Sequence, residues 1–137
     1  MFFKIKFRAW WKEAKLMADV EVWRESDIVI IVPVVSSIPG HKFERQFLDA
    51  GEYNLMQYST LFDSNGKEIF EGDIVKVNSK NKKGVEKEVI APVVFYHGHF
   101  MLVKSKTNKK WRSLGDIKNK DNLTVIGDIY QTPELLN

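Results

Sequence analysis

Apolar and charged residues alternate where the chain begins, with Phe3, Ile5 and Phe7 set against Lys4, Lys6 and Arg8. A two-residue period puts one set on the buried face of a strand and the other in water, so this stretch predicts a first β-strand. Trp10 and Trp11 follow, and the polar residues 12–15 form a turn, or a single turn of helix, before the apolar positions Leu16, Met17, Val20 and Val22 of a second strand. Ile28, Val29, Ile30, Ile31 and Val32 are β-branched without interruption, stiff at χ1 and suited to a pleated surface. With no polar alternation, this third strand is expected to be covered on both faces, by a core or by an oligomer interface, and Pro33 marks its end or an edge. Residues 36–40 read as loop. Phe43, Phe47 and Ala50 are spaced as on one side of a helix, which predicts a short helix over residues 41–50 ended by Gly51.

Turn chemistry dominates the next part. In Asp63, Ser64, Asn65, Gly66 the Asp and Asn side chains bond nearby backbone and the glycine takes positive φ. Gly72 and Asp73 then launch a strand through Ile74, Val75 and Val77. Residues 78–87 are polar and lysine-rich, an exposed loop or hairpin tip. Residues 89–96 and 100–103 flank His97, Gly98 and His99 as the arms of a β-hairpin. Residues 104–112 form a second basic loop, and 113–122 stay polar apart from Leu114 and Ile117. Leu123, Val125, Gly127 and Ile129 share one face of a last strand, where a glycine signals a bulge or a close approach of backbone. Thr132 and Pro133 start a closing helical turn. Short strands between turn signals roughly every ten residues describe a mainly β chain with a few short helices, built as a small barrel or sandwich. The division expected is an N-terminal β-rich part, residues 1–66, and a C-terminal small barrel, residues 67–137, within one compact unit.

Length and composition narrow the classes. The 137 residues suffice for one domain, or for two very small subdomains sharing a core. The absence of cysteine excludes a disulfide framework, a thiol nucleophile and a zinc ribbon, and fits a reducing compartment. The N-terminal residues lack the unbroken apolar core of a secretory signal. The longest apolar run, residues 28–35, is interrupted by Pro33 and far short of the roughly 20 residues of a spanning helix. A cytoplasmic protein without a membrane partner is expected. Net charge is only +3, but residues 1–65 carry 8 Lys/Arg against 9 Asp/Glu while residues 66–137 carry 13 against 9. The basic surplus is C-terminal.

Candidate chemistry is sparse. His97 and His99 flank a glycine but lack a third ligand for a metal. Asp63 and Asn65 have the alternate spacing of a calcium loop, yet Lys67 and Ile74 stand where further oxygens belong. Glu68, Glu71 and Asp73 gather beside one strand without a histidine or an activated nucleophile to work with. No serine lies in a nucleophile elbow and no glycines form a phosphate cradle, so neither an enzyme nor a cofactor is expected. Two basic loops are the most distinctive surface feature. Lys80, Lys82 and Lys83 in one, with Lys106, Lys109, Lys110 and Arg112 in the other, are candidates for phosphate contacts, and Trp111 for stacking on a base. Competing with this, 4 tryptophans and 9 phenylalanines exceed what a small barrel easily encloses. Ile28, Ile30 and Val32, with Trp11 and Trp23, are therefore candidates for an interface with a second copy or with another protein.

Three blocks carry a family resemblance: residues 4–10 (Lys-Ile-Lys-Phe-Arg-Ala-Trp), Leu55 to Tyr58 with residues 65–75, and Val125, Ile126, Gly127, Asp128, Ile129, Tyr130 with Pro133, Glu134, Leu135 and Leu136. Together they resemble the YopX family of bacteriophages and prophages. Trp11 departs from the polar residue, usually Asp, that many members have there. The resemblance implies a phage or prophage origin, a bacterial cytoplasm, and a mainly β fold with a barrel-like, SH3-like C-terminal part. It brings no activity and no catalytic residue. Two expectations result: a non-enzymatic accessory protein acting through protein contacts, as a homo-oligomer or with a host or phage protein, or a nucleic-acid-binding β-barrel using the two basic loops.

Overall fold

A computed structural model describes residues 4–80, 83–104, 109–117 and 122–137, with backbone alone at 79, 104 and 109–111. Its strands are β1 Phe7–Trp11, β2 Leu16–Trp23, β3 Ile28–Pro33, β4 Phe43–Leu48, β5 Tyr53–Phe62, β6 Glu68–Phe70, β7 Asp73–Lys80, β8 Glu86–Tyr96, β9 His99–Lys104, β10 Lys109–Ser113 and β11 Leu123–Asp128. All pair antiparallel. Two short 3₁₀ turns, Leu114–Asp116 and Pro133–Leu136, are described beside them. Among the described residues no helix is long and apolar enough to cross a membrane. The chain forms two compact units, Ile5–Gln57 and, with Lys4, Tyr58–Asn137. The division falls inside β5, between Gln57 and Tyr58.

In the Ile5–Gln57 unit the strands lie in the order β4-β3-β2-β1-β5. Phe3 lies outside the described residues, and the first strand starts later than the alternation at Ile5 predicts, because the ladder begins where partners exist: Phe7 pairs with Gln57 and Arg8 with Asp19. From there Phe7, Ala9 and Trp11 keep the two-residue period. The core consists of Ala9, Ala18, Ile28, Ile30 and Leu48, with Trp11, Val20, Val32 and Tyr53 packed against it. β3 is buried at Ile28 and Ile30 and only half-buried at Val29 and Ile31. One face rather than both is thus sealed. The segment expected to be a short helix is strand β4, paired with β3 from Phe43↔Pro33 to Leu48↔Ile28. A spacing of four fits two strand periods as well as one helical turn, and the neighbouring β-branched strand resolves the ambiguity in favour of pairing.

In the Tyr58–Asn137 unit the sheet order is β10-β9-β8-β7-β11. Register builds the core in rows: Leu123, Val77 and Val89 lie side by side, as do Val125, Val75 and Ala91. Ile69, Val93, Leu102, Leu114 and Ile117 complete this core. The β8–β9 turn has His97 at φ 48° and Gly98 at φ 84°, the mirror-image turn whose twist matches that of paired strands. No pairing joins β10 to β11 among the described residues, so the sheet is open and the expected barrel is not closed. The second basic loop is largely strand, since β9 runs to Lys104 and β10 resumes at Lys109. Gly127 sits at a bulge in the β11–β7 ladder, and a Cβ there would lie 2.0 Å from Thr132 Oγ1 and 2.8 Å from Leu135 Cδ1. Both meanings of a strand glycine are realised: the register slips, and the closing turn packs where a side chain would be.

Candidate interaction surfaces

The conspicuous carboxylates turn out to be occupied by backbone. Asp63 Oδ1 accepts the N–H groups of Asn65 (2.8 Å) and Lys67 (2.9 Å), and Oδ2 accepts that of Val125 (2.9 Å). Burial pushes this carboxyl up, but the three N–H groups and the Lys67 charge outweigh it and hold its pKa below the ordinary value. Asp73 is buried and accepts the Phe70 N–H at 2.8 Å. Asp128 Oδ1 takes the N–H groups of Tyr130 and Gln131, and Oδ2 takes the Gln131 side-chain amide. Thr132 does not cap the last turn through its side chain. Its hydroxyl instead accepts the Asp128 N–H and donates to the Asp128 carbonyl. Each of these groups holds a turn in place. Of the other two carboxylates considered for acid or base work, Glu68 lines an open cleft of about 760 Å³ with Lys4, Tyr58, Thr60, Phe62 and Gly66. Thr60 there has φ 71°, a strained conformation for a β-branched residue, at the irregularity between β5 and β6.

The sheet edges differ in how they are protected. On the outer side of β11, the Leu123 carbonyl accepts the Ser64 N–H at 2.8 Å and the Val125 N–H goes to Asp63. The turn at 63–66 therefore covers that edge. β6 has three residues. β10 carries Lys109, Lys110 and Arg112 within five residues, charge of the kind that discourages further pairing. β4 has six residues, its two charges are of opposite sign, Glu44 and Arg45, no turn covers it among the described residues, and its first five residues are all exposed. The Val34 N–H donates to the Lys42 carbonyl at 2.9 Å, so in the alternation of an antiparallel ladder residues 42, 44, 46 and 48 face β3 while Phe43, Arg45 and Phe47 turn their N–H and C=O outward. The Phe47 carbonyl accepts the Gln46 side-chain amide at 3.0 Å.

Interface candidates read from sequence are redistributed accordingly. Ile28 and Ile30, at 1% and 0% exposure, lie inside their own unit's core and are not offered to a partner. Val32 and Trp11 pack against the same core. Trp23 remains 47% exposed, in tilted contact with Phe7 at 4.7 Å. Other apolar residues are exposed on the same sheet, among them Phe43 at 61%, Phe47 at 74% and Val22 at 45%. Val22 pairs with Val29, and Val29 with Phe47, in a row across three strands. Among them, Arg45 Nε donates to Glu21 Oε2 at 2.7 Å. A helix over residues 41–50 would not form this row; the alternation Phe43, Arg45, Phe47 is the signal in the sequence that does.

The basic segments lie on two hairpins of one sheet. β7 and β9 run in the same direction, so the β7–β8 and β9–β10 connections leave the sheet on the same side, but they are staggered: Lys80 is opposite Glu86, whereas Lys104, with Lys109 beside it, is level with Ala91, five residues or about 17 Å back along β8. Lys80 and Lys83 are exposed. Glu86 stands opposite Lys80, and Glu88 lies 3.9 Å from Lys76, which dilutes the charge. Lys110 pairs with Val103, and Trp111 lies at the register slip between Lys110 and Arg112. Arg112 is half-buried, its Nη2 donating to the Asp116 carbonyl at 3.5 Å. Lys82 and Lys106 fall outside the described residues.

Two antiparallel sheets with almost no helix, whose distinctive features are surfaces and edges, define a mainly β protein. Residues 6–137 match the family described as YopX protein, and the chain belongs to that family. It is similar to the crystal structure of protein EF1440 from Enterococcus faecalis, with a TM-score of 0.64 and 25% identity over 99% of this chain and 100% of that one. A search of curated proteins gives no match.

Proposed function

We propose that this chain is a non-enzymatic accessory protein of phage or prophage origin, acting in the bacterial cytoplasm through protein contacts and associating with itself. The observation that carries the reading is the apolar row of exposed Val22, half-buried Val29 and exposed Phe47, with Phe43 beside it, ending on β4, which is exposed along nearly its whole length. Aromatic residues on such a surface are more useful in a contact than in water. Family membership supports the phage setting. The binding of Asp63, Asp73 and Asp128 to backbone supports a structural use of the carboxylates. Sedimentation velocity tests the reading. A dimer or larger species at micromolar concentration is expected, and a monomer at all concentrations overturns it.

A second reading has its own observation, two lysine-rich hairpins that leave the β10-β9-β8-β7 sheet in the same direction, staggered by five residues. A nucleic-acid platform of this kind binds through counterion release, so its affinity falls steeply with salt. Fluorescence anisotropy with single- and double-stranded oligonucleotides at low salt tests it, and no binding there removes it.

A further inference from the structure

The self-association reading says that copies meet and leaves open how. We infer that β4 pairs antiparallel with β4 of a second copy about a two-fold axis, joining two sheets edge to edge. The inference rests on that reading and deepens it. A two-fold axis perpendicular to a sheet pairs residues whose numbers sum to an even value, because only then do opposing side chains lie on the same face. One register uses every outward-turned group: Phe43 opposite Phe47 of the second copy, Arg45 opposite Arg45, and Phe47 opposite Phe43. Shifting by two residues in either direction leaves one of the three without a partner.

The side chains agree with that register. Phe43 and Phe47, the two most exposed residues of the strand's aromatic set, become cross-strand aromatic pairs on the outer face. Two arginines facing each other would repel, but each is already held by its own Glu21 at 2.7 Å, so the centre of the contact becomes a four-charge cluster with no net charge. Pairing replaces the bond from the Gln46 amide to the Phe47 carbonyl with a backbone one. The contact is isologous and uses the edge once in each copy, so it stops at two.

Proline at position 45 is a selective test, because the Arg45 N–H faces outward and its loss leaves the β3–β4 ladder intact. Arg45→Pro is expected to keep the wild-type far-UV circular dichroism spectrum and to weaken dimerisation about 100-fold, from two lost bonds across the axis. Arg45→Ala, which keeps the N–H, weakens it far less. Arg45→Glu abolishes the dimer by facing four carboxylates together, and Glu21→Arg with Arg45→Glu restores it. Hydrogen exchange on the wild type gives a check that needs no variant: the Phe43, Arg45 and Phe47 amides are protected in the dimer and lose protection on dilution. A dimer with unprotected amides at 43, 45 and 47, or a folded Arg45→Pro protein that dimerises normally, overturns the inference while self-association stands. A wild-type monomer overturns both.

Discussion

The strand edges β11 and β4 present the same chemical problem, a row of outward N–H and C=O groups, and among the described residues only that of β11 is met. There a turn about sixty residues earlier in sequence supplies the Asp63 carboxylate and the Ser64 N–H to the exposed groups of Val125 and Leu123. At β4 the outward groups of Phe43, Arg45 and Phe47 meet, among the described residues, the Gln46 side chain alone, and the flanking aromatics are exposed. A covered edge makes its surroundings rigid and intolerant of change. An open one tolerates substitution and is available to a partner.

Substitutions that probe this contrast have graded effects. The largest is expected at Gly127, beside the covered edge. Gly127→Val forces a side chain into the space held by Thr132 and Leu135, and the unfolding free energy falls by about 3 kcal/mol or more in urea titration. Asp63→Ala comes next. It strips three backbone N–H groups of their acceptor and costs about 3 kcal/mol at roughly 1 kcal/mol each. The same carboxylate gives a pH signature. Its pKa is lower in the folded state than the ordinary 3.8, so its stabilisation is complete above 3.8 and is lost as pH falls through the lower, folded value. Urea midpoints measured down that range decline for the wild type and decline less for Asp63→Asn.

Thr60→Gly has the opposite sign. It relieves a positive φ of 71° at a β-branched residue, so a gain of about 1 kcal/mol is expected, since the relieved strain slightly exceeds the extra entropy lost by glycine. The smallest effect belongs to the open edge. Phe47→Ser, at a position 74% exposed, shifts monomer stability by less than about 0.5 kcal/mol when measured at a dilution where the protein is monomeric. A large loss there would mean that β4 is held by more than β3 and would dissolve the contrast.

Much of the fold was legible because it rests on local chemistry. The Asp63–Gly66 turn, the His97–Gly98 hairpin turn, the β-branched run of β3 and the glycine of the last strand each announce a backbone conformation through their own residue types. Family membership was legible too, from short blocks at both ends of the chain. The helix expected over residues 41–50 failed because the spacing of Phe43 and Phe47 satisfies two periods at once, and only the presence of β3 alongside chooses between them. The barrel failed because closure depends on whether β10 meets β11, a relation between strand ends that no local pattern encodes. Interface candidates drawn from hydrophobicity alone went largely to the core, since an isoleucine that packs inward and one that packs on a partner have the same side chain.

The sequence by itself determined the β-rich class, the turns and the family, because those depend on residue identity and on spacings of two to four. Tertiary structure alone decided that Asp63 reaches Val125, that two lysine-rich hairpins leave one sheet in the same direction, and that Phe43, Arg45 and Phe47 lie on an open edge. Each of those is a pairing between distant segments, set by register and strand order rather than by any residue's own preference.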